Sequence, residues 1–214
     1  PGSTIEIGAS EQSGDEGRSR AVFTRGGVSR GTISFRRSDG VFQGDGTVFT
    51  FGEASGSARD AALELIVAAD SLMEARDGAR VVISETADDV INGRIAAVNG
   101  GKIEFRRDAG LPETERDVEA GGGTRVENGA LLLQNVDEFS TPTFEQSGAA
   151  ALTDLGSARI FRAPERFHLT GGTFRAGDVD ITTADFRLSD NDTTLATDGT
   201  VTVNDDDALL IGGT

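Results

Sequence analysis

Residues 92–105, which read NGRIAAVNGGKIEF, decide the fold class of this chain. Two short segments, Arg94–Val98 and Lys102–Arg106, are typical of strands, and the Asn-Gly-Gly run between them is typical of a tight turn. The pattern predicts a mainly β protein made of brief strands. A glycine, a small or polar residue and an alternating strand recur in this order from Gly31, Gly46, Gly101, Gly172 and Gly199.

The spacing of this motif leaves the architecture open. With looser copies that begin at Gly78 and Gly123, the intervals between successive glycines range from 15 to 49 residues. Such intervals are too irregular for a strict repeat, but they fit a solenoid with loops of variable length. The alternative is a β-sandwich or barrel, because the turns of those folds also need glycine.

Three stretches carry a family resemblance: residues 92–105, residues 122–135 (GGTRVENGALLLQN) and residues 170–188 (TGGTFRAGDVDITTADFRL). They resemble the right-handed parallel β-helix of autotransporter passengers and haemagglutinin-type adhesins, whose coils are short glycine-led strands joined by Asn, Asp and Gly turns. The resemblance covers about half of the chain, from about Gly78 to Thr214. It implies a right-handed parallel β-helix that serves as an extended, secreted, surface-displayed scaffold.

One segment, Ser57–Gly78, is predicted to form a helix instead. It has no glycine or proline between its ends, and its apolar residues recur at helical spacing. Ser57 with Asp60 resembles a capping box, and Gly78 suits a left-handed helix end. The alternative is a pair of strands, 62–68 and 71–75, on two faces of a solenoid.

Composition limits the classes of partner. The 214 residues include 36 acidic and 20 basic side chains, for a formal charge of -16. Nucleic acid is therefore an unfavourable partner, because phosphate binding needs a basic face. No apolar run is long enough to span a membrane. The absence of cysteine excludes disulfides and cysteine-based zinc sites, and it is compatible with an extracellular or cell-surface location.

The chain is expected to form a single β-rich domain over residues 4–214. Residues 1–3 (PGS) look like a remnant of tag removal, and the remainder is expected to be a fragment of a larger protein. Residues 108–123 are rich in acidic residues and glycine and contain Pro112, which is typical of a loop or linker. A sub-boundary near residue 115 is therefore an alternative.

The two ends of the sequence differ in charge. Residues 18–37 contain six arginines and no acid, whereas residues 176–214 contain nine aspartates and one arginine. These segments either attract neighbouring copies head to tail or meet within one domain, and exposed pairs of this kind contribute little. A third hypothesis is that the basic segment binds an anionic surface through Arg30, Arg36 and Arg37.

Calcium is the candidate cofactor. Asp190 and Asp192 lie in one short acidic turn, and Asp205 and Asp207 lie in another. Carboxylate oxygens are the ligands that Ca²⁺ prefers, although neither run has the EF-hand order. The alternative is that both turns are simply solvated.

Catalysis is not expected. Residues 27–31 (GVSRG) match the pattern of a hydrolase nucleophile elbow, but the segment that follows is typical of a strand and not of a helix. His168, the single histidine, alternates with Phe167 and Leu169 and is predicted to be a solvent-facing or hydrogen-bonded strand residue. A chain without Trp or Tyr also lacks the aromatic platforms and phenol acids of most sugar-cleaving clefts.

The sequence therefore favours a non-catalytic structural or adhesive module of a secreted or surface-displayed protein. Its expected partners are a cell-surface polysaccharide or protein, or neighbouring copies of itself. The alternative is a structural subunit of a virus or phage particle, such as a tail, spike or capsid-decorating protein. Assembly state distinguishes the two, because a particle subunit forms a defined ring or trimer.

Overall fold

The computed structural model of the chain describes residues 4–8, 19–23, 27–29, 32–36, 38–43, 48–51, 63–69, 71–83, 87–110, 112, 116–188, 192–204 and 209–210. These described residues form 26 strands and contain no helix. The strands, in chain order, are β1 (Thr4–Gly8), β2 (Ser19–Phe23), β3 (Gly27–Ser29), β4 (Thr32–Arg36), β5 (Ser38–Gln43), β6 (Val48–Phe51), β7 (Leu63–Val67), β8 (Leu72–Arg76), β9 (Arg80–Ile83), β10 (Ala87–Ile91), β11 (Arg94–Val98), β12 (Lys102–Arg106), β13 (Val118–Glu119), β14 (Thr124–Glu127), β15 (Ala130–Gln134), β16 (Glu138–Ser140), β17 (Thr143–Ser147), β18 (Leu152–Asp154), β19 (Ile160–Ala163), β20 (Arg166–Leu169), β21 (Gly172–Ala176), β22 (Val179–Thr183), β23 (Phe186–Leu188), β24 (Thr193–Thr197), β25 (Val201–Asn204) and β26 (Leu209–Leu210).

Every third strand joins the same face, which makes the chain a parallel β-solenoid. Face 1 consists of β1-β4-β7-β10 and of β13-β16-β19-β22-β25, which a parallel bridge from Ile91 to Ala120 connects. Face 2 has the order β2-β5-β8-β11-β14-β17-β20-β23-β26, and face 3 runs from β3 to β24 in the same way. The predicted mainly β solenoid is confirmed, and the sandwich or barrel alternative is wrong.

Most coils have nearly the same length. On face 3, Lys102 pairs with Arg80, 22 positions earlier, and Thr173 pairs with Leu152, 21 positions earlier. Two coils are longer, since Ala130 pairs with Lys102, 28 positions earlier, and Arg80 pairs with Val48, 32 positions earlier. The additional residues of the first fall between the end of β12 and the start of β13, and those of the second between the end of β6 and the start of β7, so the sheets continue on both sides.

The corner between faces 2 and 3 shows why Asn-Gly and Asp-Gly pairs recur. Asp77 and Gly78 have positive φ of 52° and 82°, and Asn99 and Gly100 have 49° and 79°. Asn, Asp and Gly tolerate this left-handed conformation better than other residues do. The amide of Gly100 donates to the carbonyl of Asn128 in the next coil at 2.6 Å, so the turns stack.

Phenylalanine fills the interior of the C-terminal half. Phe144, Phe167 and Phe186 occupy one register position on face 2, and the centroids of successive rings lie 5.1 and 5.4 Å apart. Phe161 from face 1 and Phe174 from face 3 complete the cluster. These side chains are almost fully buried, and stacked or edge-on rings at such distances attract one another beyond the effect of burial.

The helix predicted over residues 57–78 is wrong for the described part of that segment. Residues 63–67 form β7 and residues 72–76 form β8, which agrees with the two-strand alternative. Leu65 and Val67 point into the core from face 1, and Met73 and Ala75 do so from face 2. Both alternating pairs gain full burial between neighbouring coils, and this packing outweighs the helical propensity of the segment.

Candidate functional surface

The outer side of face 2 carries a cluster of charged side chains on successive coils. Glu145, His168 and Arg187 share one register position on β17, β20 and β23. A guanidinium nitrogen of Arg166 donates to Glu145 Oε1 at 2.8 Å, and both side chains are about half exposed. Neighbouring coils thus place opposite charges side by side, as in cross-strand pairs of other sheets.

Asp185 is the centre of this cluster. Its carboxylate contacts His168 Nε2 at 2.8 Å and accepts a hydrogen bond from Arg187 Nε at 3.0 Å. Burial acts to raise the pKa of Asp185, but the hydrogen bonds from His168 and Arg187 outweigh it, so the pKa lies below its usual value. The prediction for His168 is confirmed, because it is a hydrogen-bonded strand residue between two buried neighbours.

Face 3 carries a buried carboxylate on its outer side. Glu104 alternates with the inward-facing Ile103 and Phe105, yet its side chain is only 6% exposed. Arg80 from the preceding coil and Arg106 from the same strand both form ion pairs with it. The two guanidinium groups remain about one third exposed, so they cover the carboxylate and keep their own contact with water.

An acidic corner lies at the start of the face 1 strands. Partial desolvation and the negative charges of Glu138 and Asp137 raise the pKa of Asp117, although its side chain is exposed. Arg162 on the next coil donates to Glu138 Oε1 at 2.5 Å, and this bond raises the pKa of the guanidinium further. Arg116 lies 4.0 Å from Asp137, so arginines accompany the acidic side chains of this corner.

A shallow groove of about 510 Å³ lies near the C-terminal end of face 3. It is lined by Leu195 and by polar and small residues of β18, β21, β24 and the turns that follow these strands. Arg175 lines the groove and donates to Asp154 Oδ2 at 3.2 Å. This ion pair joins two adjacent coils in the same way as the pairs on face 2.

The described residues include only part of the predicted calcium site. Asp192 is exposed in a turn, and its carbonyl accepts a hydrogen bond from the amide of Gly172 at 2.9 Å. Asp190, Asp205 and Asp207 lie outside the described residues, so the calcium site stays a prediction. Among the residues that are described, no group of three or more Asp, Glu, His or Cys side chains could hold a metal ion.

The predicted basic site is likewise only partly placed. Arg36 is the last residue of β4, where it pairs with Gly8 of β1, whereas Arg30 and Arg37 lie outside the described residues. The serine of the nucleophile-elbow pattern, Ser29, ends strand β3 and pairs with Phe51. Within the described ranges, no helix is long and apolar enough to cross a membrane.

Sequence inspection missed the ion pairs between coils. Arg80 and Glu104 are 24 residues apart, and Asp154 and Arg175 are 21 apart. A search for opposite charges one coil length apart would have found them, but the coil length becomes visible only when the strands are in register.

No protein-family model, curated protein or solved structure matches this chain. The resemblance to autotransporter and haemagglutinin-type β-helices is therefore supported at the level of a parallel β-solenoid and no further.

Proposed function

We propose that this chain is a non-catalytic structural or adhesive module of a secreted or surface-displayed protein. The observation that supports the proposal is the use of outward charges between coils. Arg80–Glu104, Glu138–Arg162 and Glu145–Arg166 each join one coil to the next. Side chains paired in this way form a regular outer surface, which suits a scaffold, although each exposed pair contributes little stability by itself.

The shape of the scaffold supports the same role. Parallel strands on three faces give long, regular outer surfaces over a core of stacked rings. Solenoids present such surfaces to large partners, and binding then depends on the shape and charge of a face. The charge of -16 favours solubility of an extended module outside the cell.

Asp117 is the described carboxyl group with a raised pKa, so it is the first residue to examine for catalysis. It is exposed, and its neighbour Glu138 is already paired with Arg162. Incubation of the purified chain with pooled polysaccharides should release neither reducing ends nor unsaturated products. Product release that disappears in Asp117→Asn would overturn the non-catalytic assignment.

Binding tests the adhesive part of the proposal. We expect the fluorescently labelled chain to bind an array of cell-surface polysaccharides, and to bind anionic members less well as salt increases. The double substitution Arg36→Glu with Arg37→Glu should abolish salt-sensitive binding. The double substitution Arg159→Glu with Arg166→Glu, which changes the net charge equally on later coils, is the matched control. Equal loss in both variants would contradict a basic binding site in the first coils.

The oligomeric state in solution distinguishes this proposal from the alternative of a particle subunit. A chain that forms a defined ring or trimer under all conditions would favour a virus or phage component. A chain whose association is absent or varies with concentration favours the secreted or surface-displayed module.

A further inference from the structure

Face 1 is interrupted between two of its coils, whereas faces 2 and 3 continue without a break there. β11 pairs with both β8 and β14, and β12 pairs with both β9 and β15. On face 1, β10 pairs with β7 on one side. Among the described residues, its other side makes only the single bridge from Ile91 to Ala120. The start of β10 is therefore a strand edge in the middle of the solenoid.

The hydrogen bonds at the end of β10 show which of its residues face the next coil. The amide of Gly121 donates to the carbonyl of Ile91 at 2.6 Å, so Ile91 faces the next coil. The amide of Asn92 donates to Val67 of the preceding coil at 2.9 Å. Successive residues of a parallel strand bond alternately to its two neighbours, so Asp89 faces the next coil, as Ile91 does.

Asp89 stands at a register position that belongs to the core on both neighbouring coils. It pairs with Leu65 of β7, which is fully buried. The register of the Ile91–Ala120 bridge, carried back two residues, places Asp89 opposite Val118, which is 2% exposed. Burial of an ionised carboxylate is costly, because it removes the water that solvates the charge. An inward charge is one of the ways in which natural sheets keep a strand edge from pairing.

The acidic corner around this edge adds to the negative charge. Its other acidic residues are Glu64, Asp88, Asp117, Glu119, Asp137 and Glu138. Its cations are Arg116, which lies 4.0 Å from Asp137, and Arg162, which pairs with Glu138. Partial desolvation and the charges of Glu138 and Asp137 raise the pKa of Asp117. The stability that Asp117 contributes is therefore fully present below its unfolded pKa of about 3.9 and is lost as the pH rises through the folded pKa.

We propose that the start of β10 is an acid-sensitive opening in face 1. While Asp89 is ionised, the edge stays unpaired on the side of the next coil. When its carboxylate takes up a proton, β10 extends its pairing to β13, and face 1 becomes continuous. Closure takes up protons, so a fall in pH favours the closed state. This device is independent of the partner that the outer faces bind.

Amide hydrogen exchange of the whole chain, measured by NMR at about pH 7 and about pH 4, tests the proposal. In the closed state, the register directs the amide of Asp89 to the carbonyl of Asp117. Its protection factor, which corrects for the effect of pH on an unstructured chain, should rise at least about tenfold in acid. The amide of Asn92, which is bonded to Val67 in the open structure, is the internal reference and should change less than about twofold.

Two adjacent substitutions provide a matched test at about pH 7. Asp89→Val removes the charge from the inward register position, so the protection factor of amide 89 should rise at least about tenfold over the parent chain. Asp88→Val makes the same change at the neighbouring residue, which pairs with Glu64 and lies outside the inward column. In that variant, the protection factor of amide 89 should stay within about twofold of the parent value.

Circular dichroism melting establishes that both variants are folded. If Asp89→Val does not fold, Asp89→Asn replaces it, because the amide keeps the shape and removes the charge; a rise of at least about threefold is then expected. An amide 89 that is as protected as amide 92 in the parent chain at neutral pH would overturn the proposal. A protection factor that does not change with pH, or that the two valine variants change equally, would also overturn it.

Discussion

Replacement of Phe161 by alanine should strongly destabilise the solenoid. Phe161 is fully buried, and its ring centroid lies 5.0 to 6.0 Å from the centroids of four other rings, those of Phe139, Phe144, Phe167 and Phe174. Large-to-small substitutions of this kind cost about 3 to 5 kcal/mol. We expect a loss within this range, because the neighbouring rings belong to strands that hydrogen bonds hold in register and cannot collapse into the space.

Urea denaturation followed by circular dichroism measures this loss. The midpoint of the transition should fall, and in a chain of this size the melting temperature should fall by about 6 to 20 °C, at about 2 to 4 °C for each kcal/mol. Val22→Ala is the control, since Val22 is 48% exposed and surface substitutions usually change stability by less than about 0.5 kcal/mol. A loss below about 1 kcal/mol for Phe161→Ala would refute the packing described for this part of the core.

Three further predictions concern polar groups. The hydroxyl of Thr153 is fully buried and has no hydrogen-bond partner among the described residues, so Thr153→Val should raise the free energy of unfolding by about 1 kcal/mol. Thr124→Val removes the buried hydrogen bond from Thr124 to a neighbouring threonine, so it should lower the free energy of unfolding. Urea denaturation measures both changes, and a change in the same direction for the two variants would contradict this difference. Glu104→Gln should lower the free energy of unfolding by about 1 to 2 kcal/mol, because two arginines lose their ion pairs with a buried carboxylate while they keep partial access to water. An unchanged midpoint of urea denaturation would show that the ion pairs contribute nothing. His168→Ala should raise the pKa of Asp185 towards its usual value, and an NMR titration of the carboxyl carbon measures this change. Because the pKa of Asp185 is lowered in the folded protein, the stability that this carboxylate contributes is fully present above its unfolded pKa of about 3.9. That stability is lost as the pH falls through the folded pKa.

The strands of the C-terminal half are the part of the fold that the sequence predicts best. Asn-Gly at 99–100 and 128–129 marks two turns of the same corner, and the alternation in 102–106 places Ile103 and Phe105 inward. These signals are local, because they depend on the conformation of the turn and on the two-residue period of a strand. A single sequence therefore reveals them.

The regular coil length could not be read from the glycines. Gly101 precedes a strand of face 3 and Gly172 begins another, but Gly123 precedes a strand of face 2 and Gly199 a strand of face 1. Intervals between glycines at different corners are irregular even where the coils are uniform. Only the pairing of strands shows the underlying spacing of 21 or 22 residues on face 3.

The segment 57–78 was predicted to be a helix for a related reason. Its corner between β7 and β8 contains Ala68 and Ala69 and no glycine, and the apolar residues of two short strands happen to recur at helical spacing. The paired charges also escaped prediction, because each partner lies about one coil away in sequence. The full burial of Leu65 and Met73 comes from contacts with neighbouring coils, which no local pattern encodes.

The uniform distance between paired strands has a consequence for how the chain gains its structure. Each coil needs only the adjacent coil as a template, so order can spread along the chain in one dimension, as it does in other repeat proteins. Loss of order should begin at the two termini and advance inwards. In native-state hydrogen exchange, the amides of the outermost coils should therefore exchange first, and those of β16 to β20, whose strands include Phe139, Phe144, Phe161 and Phe167 of the ring cluster, should exchange last.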